Sequence, residues 1–255
     1  MESMRKYYRF FLWVAVLTLP FYAWGIFFPV SGLPFGLPIS FLSIVVPMAL
    51  AIVYAYREGG RPAVARLFLG IVDVKKATPA ALALSLLGMP LVALLAYKTA
   101  ALRPDGLPEV PVVTWAQLPL TFALYFLGAI PEELGWTATL TGPLVRRHGP
   151  LAAGAMIGLF WGLWHVLPWG WEHPAGWIAG MMLFDVFIRM SMAHAYAHSG
   201  GSLFAAIGTH TMINVCITAF PNDGSHFNPW LFALWAGGLL AVQLGVARRG
   251  KLFSA

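Results

Sequence analysis

Residues 115–145 read WAQLPLTFALYFLGAIPEELGWTATLTGPLV, an apolar run into which two adjacent carboxylates, Glu132 and Glu133, intrude. A helix needs roughly 20 predominantly apolar residues to cross ~30 Å of hydrocarbon, and this run suffices. Charged side chains at bilayer depth are expensive, so they face a protein interior or a wet cavity and serve chemistry or ion movement. Pro131 precedes the pair. An interior proline removes a backbone hydrogen bond and bends the helix, which opens space beside the carboxylates. The alternative is an interfacial helix end. Against it, Glu132 lies 14 residues before Arg146, and that spacing is roughly 21 Å at 1.5 Å per residue, well into the bilayer.

The whole chain supports a membrane reading. Of its 255 residues, 59% are hydrophobic and 10% charged, against about 25% charged in a soluble domain. Eight spans are expected: 8–28, 37–56, 78–100, 115–145, 150–169, 176–197, 202–220 and 228–247. The fold class is therefore all-α, a polytopic bundle of about eight transmembrane helices. With a cytoplasmic N-terminus, 13 of the 16 basic residues fall inside; Lys98 and Arg103 fall outside, and Arg189 lies within a span. The positive-inside rule then places both termini in the cytoplasm. The net charge of +6 reports topology by the same rule, and no nucleic-acid partner is expected.

The first span follows a basic stretch but has a long apolar core and no convincing cleavage site, so it is expected to be retained. Between Arg57 and Lys76, basic and apolar residues mix as in a helix lying on the cytoplasmic interface; a plain connecting loop fits equally. The proline-rich stretch 103–111 reads as an irregular outer loop. Cys216, the single cysteine, excludes a disulfide scaffold and reads as core filling. With no repeat or linker, residues 1–255 form one integral membrane domain.

Two further spans carry polar groups that hydrophobic periodicity does not require. In GLFWGLWHVLPW, His165 follows Trp161 by four residues on one helix face, with Pro168 ending or kinking the helix beyond. In GTHTMINV, His210 and Asn214 are four apart, so both project from one face; helix-to-helix hydrogen bonding is the bland alternative. Counted from the cytoplasmic ends, Glu132, His165 and His210 lie at roughly 21, 23 and 12 Å depth, close enough to converge in tilted helices. A carboxylate and an imidazole can together hold and deprotonate a water. His210 and Asn214 can donate hydrogen bonds to an oxyanion. These are the parts that hydrolysis of an amide requires.

In order, EELGWT, WGLWH and HTMIN resemble the Glu-Glu-x-x-x-Arg, aromatic-x-x-x-His and His-x-x-x-Asn motifs of the intramembrane CAAX-protease and bacteriocin-processing endopeptidases, which include the type II CAAX prenyl endopeptidases. The resemblance covers roughly 116–219, and HSGGSLFAAIGTHTMIN looks like the family's final turn and helix. It implies a four-helix catalytic core over 115–220, with Glu132 as base, His165 as its partner, and His210 with Asn214 on the oxyanion side. Glu133, Trp161 and Arg189 are expected to support them. It further implies a multi-pass protein of the cell membrane, plasma or inner, whose partners are membrane lipid and a hydrophobic or lipid-modified peptide or protein substrate.

Thr137 stands where the motif has arginine. Arg189 could supply the missing cation from another helix, but the expected partner of Arg189 is Asp185, four residues earlier on its own face. No cofactor is expected; zinc held by Glu132, His165 and His210 is the alternative, although no HExxH helix is present. His148, Glu172, His173, His194 and His198 stay outside the catalytic set. Two other readings compete: a transporter using the buried charges to relay protons or bind substrate, and a non-catalytic immunity or scaffolding relative, with Thr137 as its sign.

Overall fold

The computed structural model describes residues 4–27, 39–102, 115–219 and 227–248, which are helical with no strands. The helices are α1 (Arg5–Phe27), α2 (Val45–Leu69), α3 (Pro79–Ala101), α4 (Leu118–Glu133), α5 (Gly142–His148), α6 (Pro150–Gly170), α7 (Ala175–His198), α8 (Leu203–Ala219) and α9 (Pro229–Arg248). A π-helical segment, Leu134–Thr141, joins α4 to α5 without a break, so the expected fourth span is one continuous helical rod. The protein is a polytopic helical bundle. The expected loop 103–111 lies outside the described residues, as do Phe28, Leu37, Phe220, Arg249 and Lys251.

Among the described residues, six helical segments are long and apolar enough to cross a membrane: Arg5–Phe27, Ser40–Val72, Pro79–Ala101, Pro150–Gly170, Ala175–His198 and Pro229–Arg248. Two of the eight expected spans differ in kind. Helix α8 is apolar but only 17 residues long, and the rod through α4 changes helical type at the glutamate pair. Around the bundle, Leu12, Leu87, Leu120, Leu127 and Leu234 are exposed, a distribution suited to a hydrocarbon solvent.

Segment 57–76 is helical rather than a plain loop, but it is set off from the first part of α2. Gly59 and Gly60 leave helical geometry, at φ −158° and φ +62°. The positive φ at Gly60 is open chiefly to glycine. Beyond the break the chain stays helical to Leu69 and continues in two short 3₁₀ turns, Gly70–Val72 and Val74–Lys76. Helix α3 then starts from Thr78, whose hydroxyl accepts from the Ala81 N–H at 3.2 Å, a conventional N-cap.

The closest helix pair is α6 with α7, joined by the short turn 171–174 and running antiparallel. A stripe of Gly154, Gly158 and Gly162 lies along their seam. A Cβ at Gly154 would fall 2.4 Å from Met190 Cα, one at Gly158 2.6 Å from the Asp185 carbonyl oxygen, and one at Gly162 3.1 Å from Met182 Cγ. Small residues repeating every four positions let membrane helices approach backbone to backbone, where dispersion replaces the hydrophobic drive that lipid cannot supply. Gly135 does the same between the π segment and Pro47, where a Cβ would sit 2.5 Å from Pro47 Cβ. The aromatic core around the fully buried Trp136 ties α1 to this pair, through Phe10, Phe11, Phe160 and Trp164, and Tyr22 Oη donates to the Trp164 carbonyl at 2.8 Å.

Replacing Gly158 by Val would force α6 and α7 apart. Overpacking of this kind costs about 1–3 kcal/mol or more, so thermal unfolding of Gly158→Val in detergent should show a clear loss of stability, whereas Gly170→Ala, with open space around its Cβ, should show little.

Candidate active site

The site lies where the α4–π junction meets α6, α7 and α8. Adjacent residues on a helix point about 100° apart, and Glu132 and Glu133 accordingly have separate partners. Glu133 is wholly buried. Its Oε2 accepts from Thr137 Oγ1 at 2.5 Å and from Arg189 Nη1 at 3.0 Å; its Oε1 lies 2.8 Å from Arg189 Nη1 and 2.8 Å from His210 Nδ1. One carboxylate thus gathers a hydroxyl from the π segment, a guanidinium from α7 and an imidazole from α8. Since burying an unpaired carboxylate is very costly, these three partners are what make its position tenable.

Arg189 does not pair with Asp185 as expected. Helical spacing puts the two on one face, but the guanidinium turns to Glu133, and Asp185 Oδ2 is left without a hydrogen-bond partner among the described residues. The reason is tertiary. Residues four apart are close in any helix, whereas only the α6–α7 seam, a backbone-to-backbone approach, brings Arg189 beside α4. Arg189 also lies over the Trp161 ring, 4.0 Å from its centroid, a cation–π contact that favours this orientation. The cation absent at position 137 is therefore supplied from α7, and Thr137 contributes a hydroxyl to the same carboxylate.

Glu132 meets different chemistry. Its Oε2 accepts two indole N–H groups, from Trp161 at 2.7 Å and Trp136 at 3.1 Å. Among the described residues no protein donor reaches Oε1. Trp161 is common to the whole site: its ring meets His165 edge-on at 5.4 Å and His210 at 5.1 Å, its carbonyl accepts from His165 Nδ1 at 2.8 Å, and its N–H holds Glu132. No hydrogen bond joins Glu132 to His165 directly; Trp161 lies between their anchorages. His165 is further fixed by stacking on Trp169 at 4.7 Å, and Pro168, which leaves the Trp164 carbonyl without its intrahelical N–H, is accommodated because Tyr22 Oη donates to that carbonyl.

The acceptors dictate the proton positions. A carbonyl and a carboxylate can only accept, so Nδ1 carries the proton in both His165 and His210, and each ring turns Nε2 to other use. Asn214 is partly buried one turn beyond His210, and its side chain makes no hydrogen bond among the described residues. Among the described residues no group of three or more His, Cys, Asp or Glu side chains is arranged to hold a metal; with Glu132 Oε2 and the Nδ1 atoms of His165 and His210 engaged, a zinc ion would have to take Glu132 Oε1 and the two Nε2 atoms.

The other described histidines are elsewhere. His173 stacks on Trp177 at 3.7 Å, His194 and His198 lie ring to ring at 4.3 Å, and His148 Nε2 is 2.9 Å from Tyr8 Oη. Trp136, a donor to Glu132, was not among the residues singled out by the motifs. Its signal was present: Trp136 follows Glu132, and Thr137 follows Glu133, by four residues. The π segment had no such signal. Its Thr139 and Thr141 hydroxyls donate to carbonyls five residues back, at 2.9 Å each, and π turns of this kind occur often at functional sites.

Fold and site together define a multi-pass helical membrane protein with a buried carboxylate–histidine centre. Residues 114–216 match the family model of the Rce1-like type II CAAX prenyl endopeptidases. The matched segment contains Glu132, Glu133, His165, Arg189, His210 and Asn214, and the family is one of proteases. No curated protein matches the chain.

Removing one partner of a buried ion pair costs about 3–5 kcal/mol, and leaving a buried acceptor short of one neutral donor about 1–3 kcal/mol. Arg189→Gln should therefore destabilise the protein more than Thr137→Val in chemical or thermal unfolding, and both more than the exposed control Arg147→Gln.

Proposed function

We propose that the protein is an intramembrane endopeptidase that hydrolyses a peptide bond in a hydrophobic or lipid-modified, CAAX-like segment. The observation that carries this reading is the pair of unlike carboxylates: Glu133 saturated by Thr137, Arg189 and His210, Glu132 held on one oxygen by two indoles with the other left for a reactant. The family match over 114–216 supports it. Both termini and the basic loops are assigned to the cytoplasmic side, and the segment 115–220 to the catalytic core of a single domain.

Glu132 Oε1 takes a proton from a water whose second hydrogen is accepted by His165 Nε2. The water oxygen adds to the scissile carbonyl carbon. The oxyanion accepts hydrogen bonds from His210 Nε2 and the Asn214 amide. Donation from Nε2 requires the imidazolium, because Nδ1–H is already given to Glu133. As the C–N bond breaks, the proton on Glu132 passes to the leaving nitrogen, which regenerates the carboxylate. Trp136 and Trp161 fix the oxygen that does not react. The activation of water is assigned to Glu132 with no metal; loss of activity on stringent chelation, restored by zinc alone, would reverse that assignment.

Protein purified and reconstituted in liposomes should cleave a farnesylated CAAX peptide or an unmodified hydrophobic transmembrane peptide. Glu132→Gln, His165→Ala and His210→Ala should each lower turnover by about 10²–10⁴, the scale of general acid–base catalysis, with unfolding temperature measured in parallel. Cleavage that persists in Glu132→Gln overturns the mechanism. No cleavage of either peptide, with ion or solute flux instead, replaces the peptidase by a transporter.

A further inference from the structure

Away from the glutamate pair, a cavity opens at the end of the bundle where basic residues collect. Its volume is about 510 Å³, within the ~300–1,000 Å³ typical of small-molecule sites. Arg66, Lys76 and Arg146 line it from three separate elements, together with the hydroxyl-bearing Tyr7, Tyr54 and Tyr196. Glu58 is the one acidic residue among its lining, and it is engaged by Lys6 at 2.7 Å. Lys76 lies 3.5 Å from Asp73; Arg66 and Arg146 make no ion pair among the described residues. The space between the cations is kept open by small side chains, with Ala51, Ala63, Ala138 and Gly142 in the walls.

The cavity exists because of the break in α2. Residues on both sides of Gly59–Gly60 line it, Ala51 and Tyr54 before the break, Ala63 and Arg66 after it. A straight α2 would carry Arg66 about 18 Å beyond Tyr54 along one axis, at 1.5 Å per residue. Folding the chain at the glycines brings that guanidinium back toward Arg146, at the level where the apolar run of the fourth span ends.

We infer that this cavity binds the phosphate of an anionic phospholipid headgroup. Guanidinium forks match phosphate oxygens two at a time. Basic pockets between membrane helices are suited to anionic headgroups. The lining fits an amphiphile, with Leu67 and Leu203 beside the cations. The inference is independent of the proposed peptidase chemistry, and its readout is lipid retention rather than cleavage.

The full chain is purified with a mixture of phosphatidylglycerol and phosphatidylcholine, and the lipid it retains is counted by native mass spectrometry; its unfolding temperature is compared in nanodiscs of phosphatidylcholine with and without phosphatidylglycerol. The expected result is about a ten- to hundredfold preference for phosphatidylglycerol, the effect of two or three cations near one anionic headgroup, and a raised unfolding temperature in its presence. The double substitution Arg66→Gln/Arg146→Gln should abolish both. Ala63→Trp, which fills the space while keeping every charge, should do the same, and Arg147→Gln, which removes an equal charge outside the cavity, should leave both intact. Equal retention of the two lipids, a preference that survives Ala63→Trp, or an equal loss in Arg147→Gln overturns the proposal. Soluble glycerol phosphate displacing the lipid and reproducing the thermal shift also overturns it, because the ligand is then a free phosphate.

Discussion

The burial of the Glu133 carboxylate is the constraint from which the arrangement of the bundle follows. A carboxylate with no exposed surface needs its lone pairs occupied and its charge answered. Thr137 and His210 do the first, from within the same rod and from α8, and Arg189 does both from α7. The three partners therefore hold the α4–π junction, α7 and α8 at hydrogen-bonding range of one point. A displacement of any of these helices by a turn would leave a charge unpaired in a medium that cannot hydrate it. The glycine seam between α6 and α7 serves the same end, since it sets the height and rotation at which Arg189 passes Trp161.

Trp161 links that cluster to Glu132 and His165. Its ring separates the two histidines, its carbonyl holds His165, and its N–H takes one oxygen of Glu132. Trp136 takes the same oxygen from within the π segment. The two glutamates, neighbours in sequence, thus become unlike: one saturated by charge, the other held by neutral donors on one side only. Differences of environment between paired carboxylates are how one site assigns separate acid–base duties to identical side chains.

Much of this was legible in the residues themselves. Glu132, Glu133, His165 and His210 stand out because apolar helices have no other use for them, and the structure gathers them around Trp161 and Arg189. The donors Trp136 and Thr137 were equally visible at a spacing of four. The partner of Arg189 was not. Local spacing favours Asp185, and the choice of Glu133 depends on an approach between α6 and α7 that reaches across most of a helix length. The link between Glu132 and His165 likewise runs through Trp161 instead of a direct bond, a matter of side-chain placement that motif order does not carry.

Composition and apolar run length by themselves determined that the chain is a helical membrane bundle, because backbone groups in hydrocarbon must be satisfied within each segment. They also marked which residues are out of place there, because a charge without a partner is costly in hydrocarbon wherever along the helix it falls. Only the tertiary structure decided which of those charges meet. Pairing depends on where helices distant in sequence cross, and that is set by the glycines of the α6–α7 seam, the Gly135–Pro47 contact and the widened turn after Glu133, whose effect lies in the shapes they allow rather than in any charge they carry.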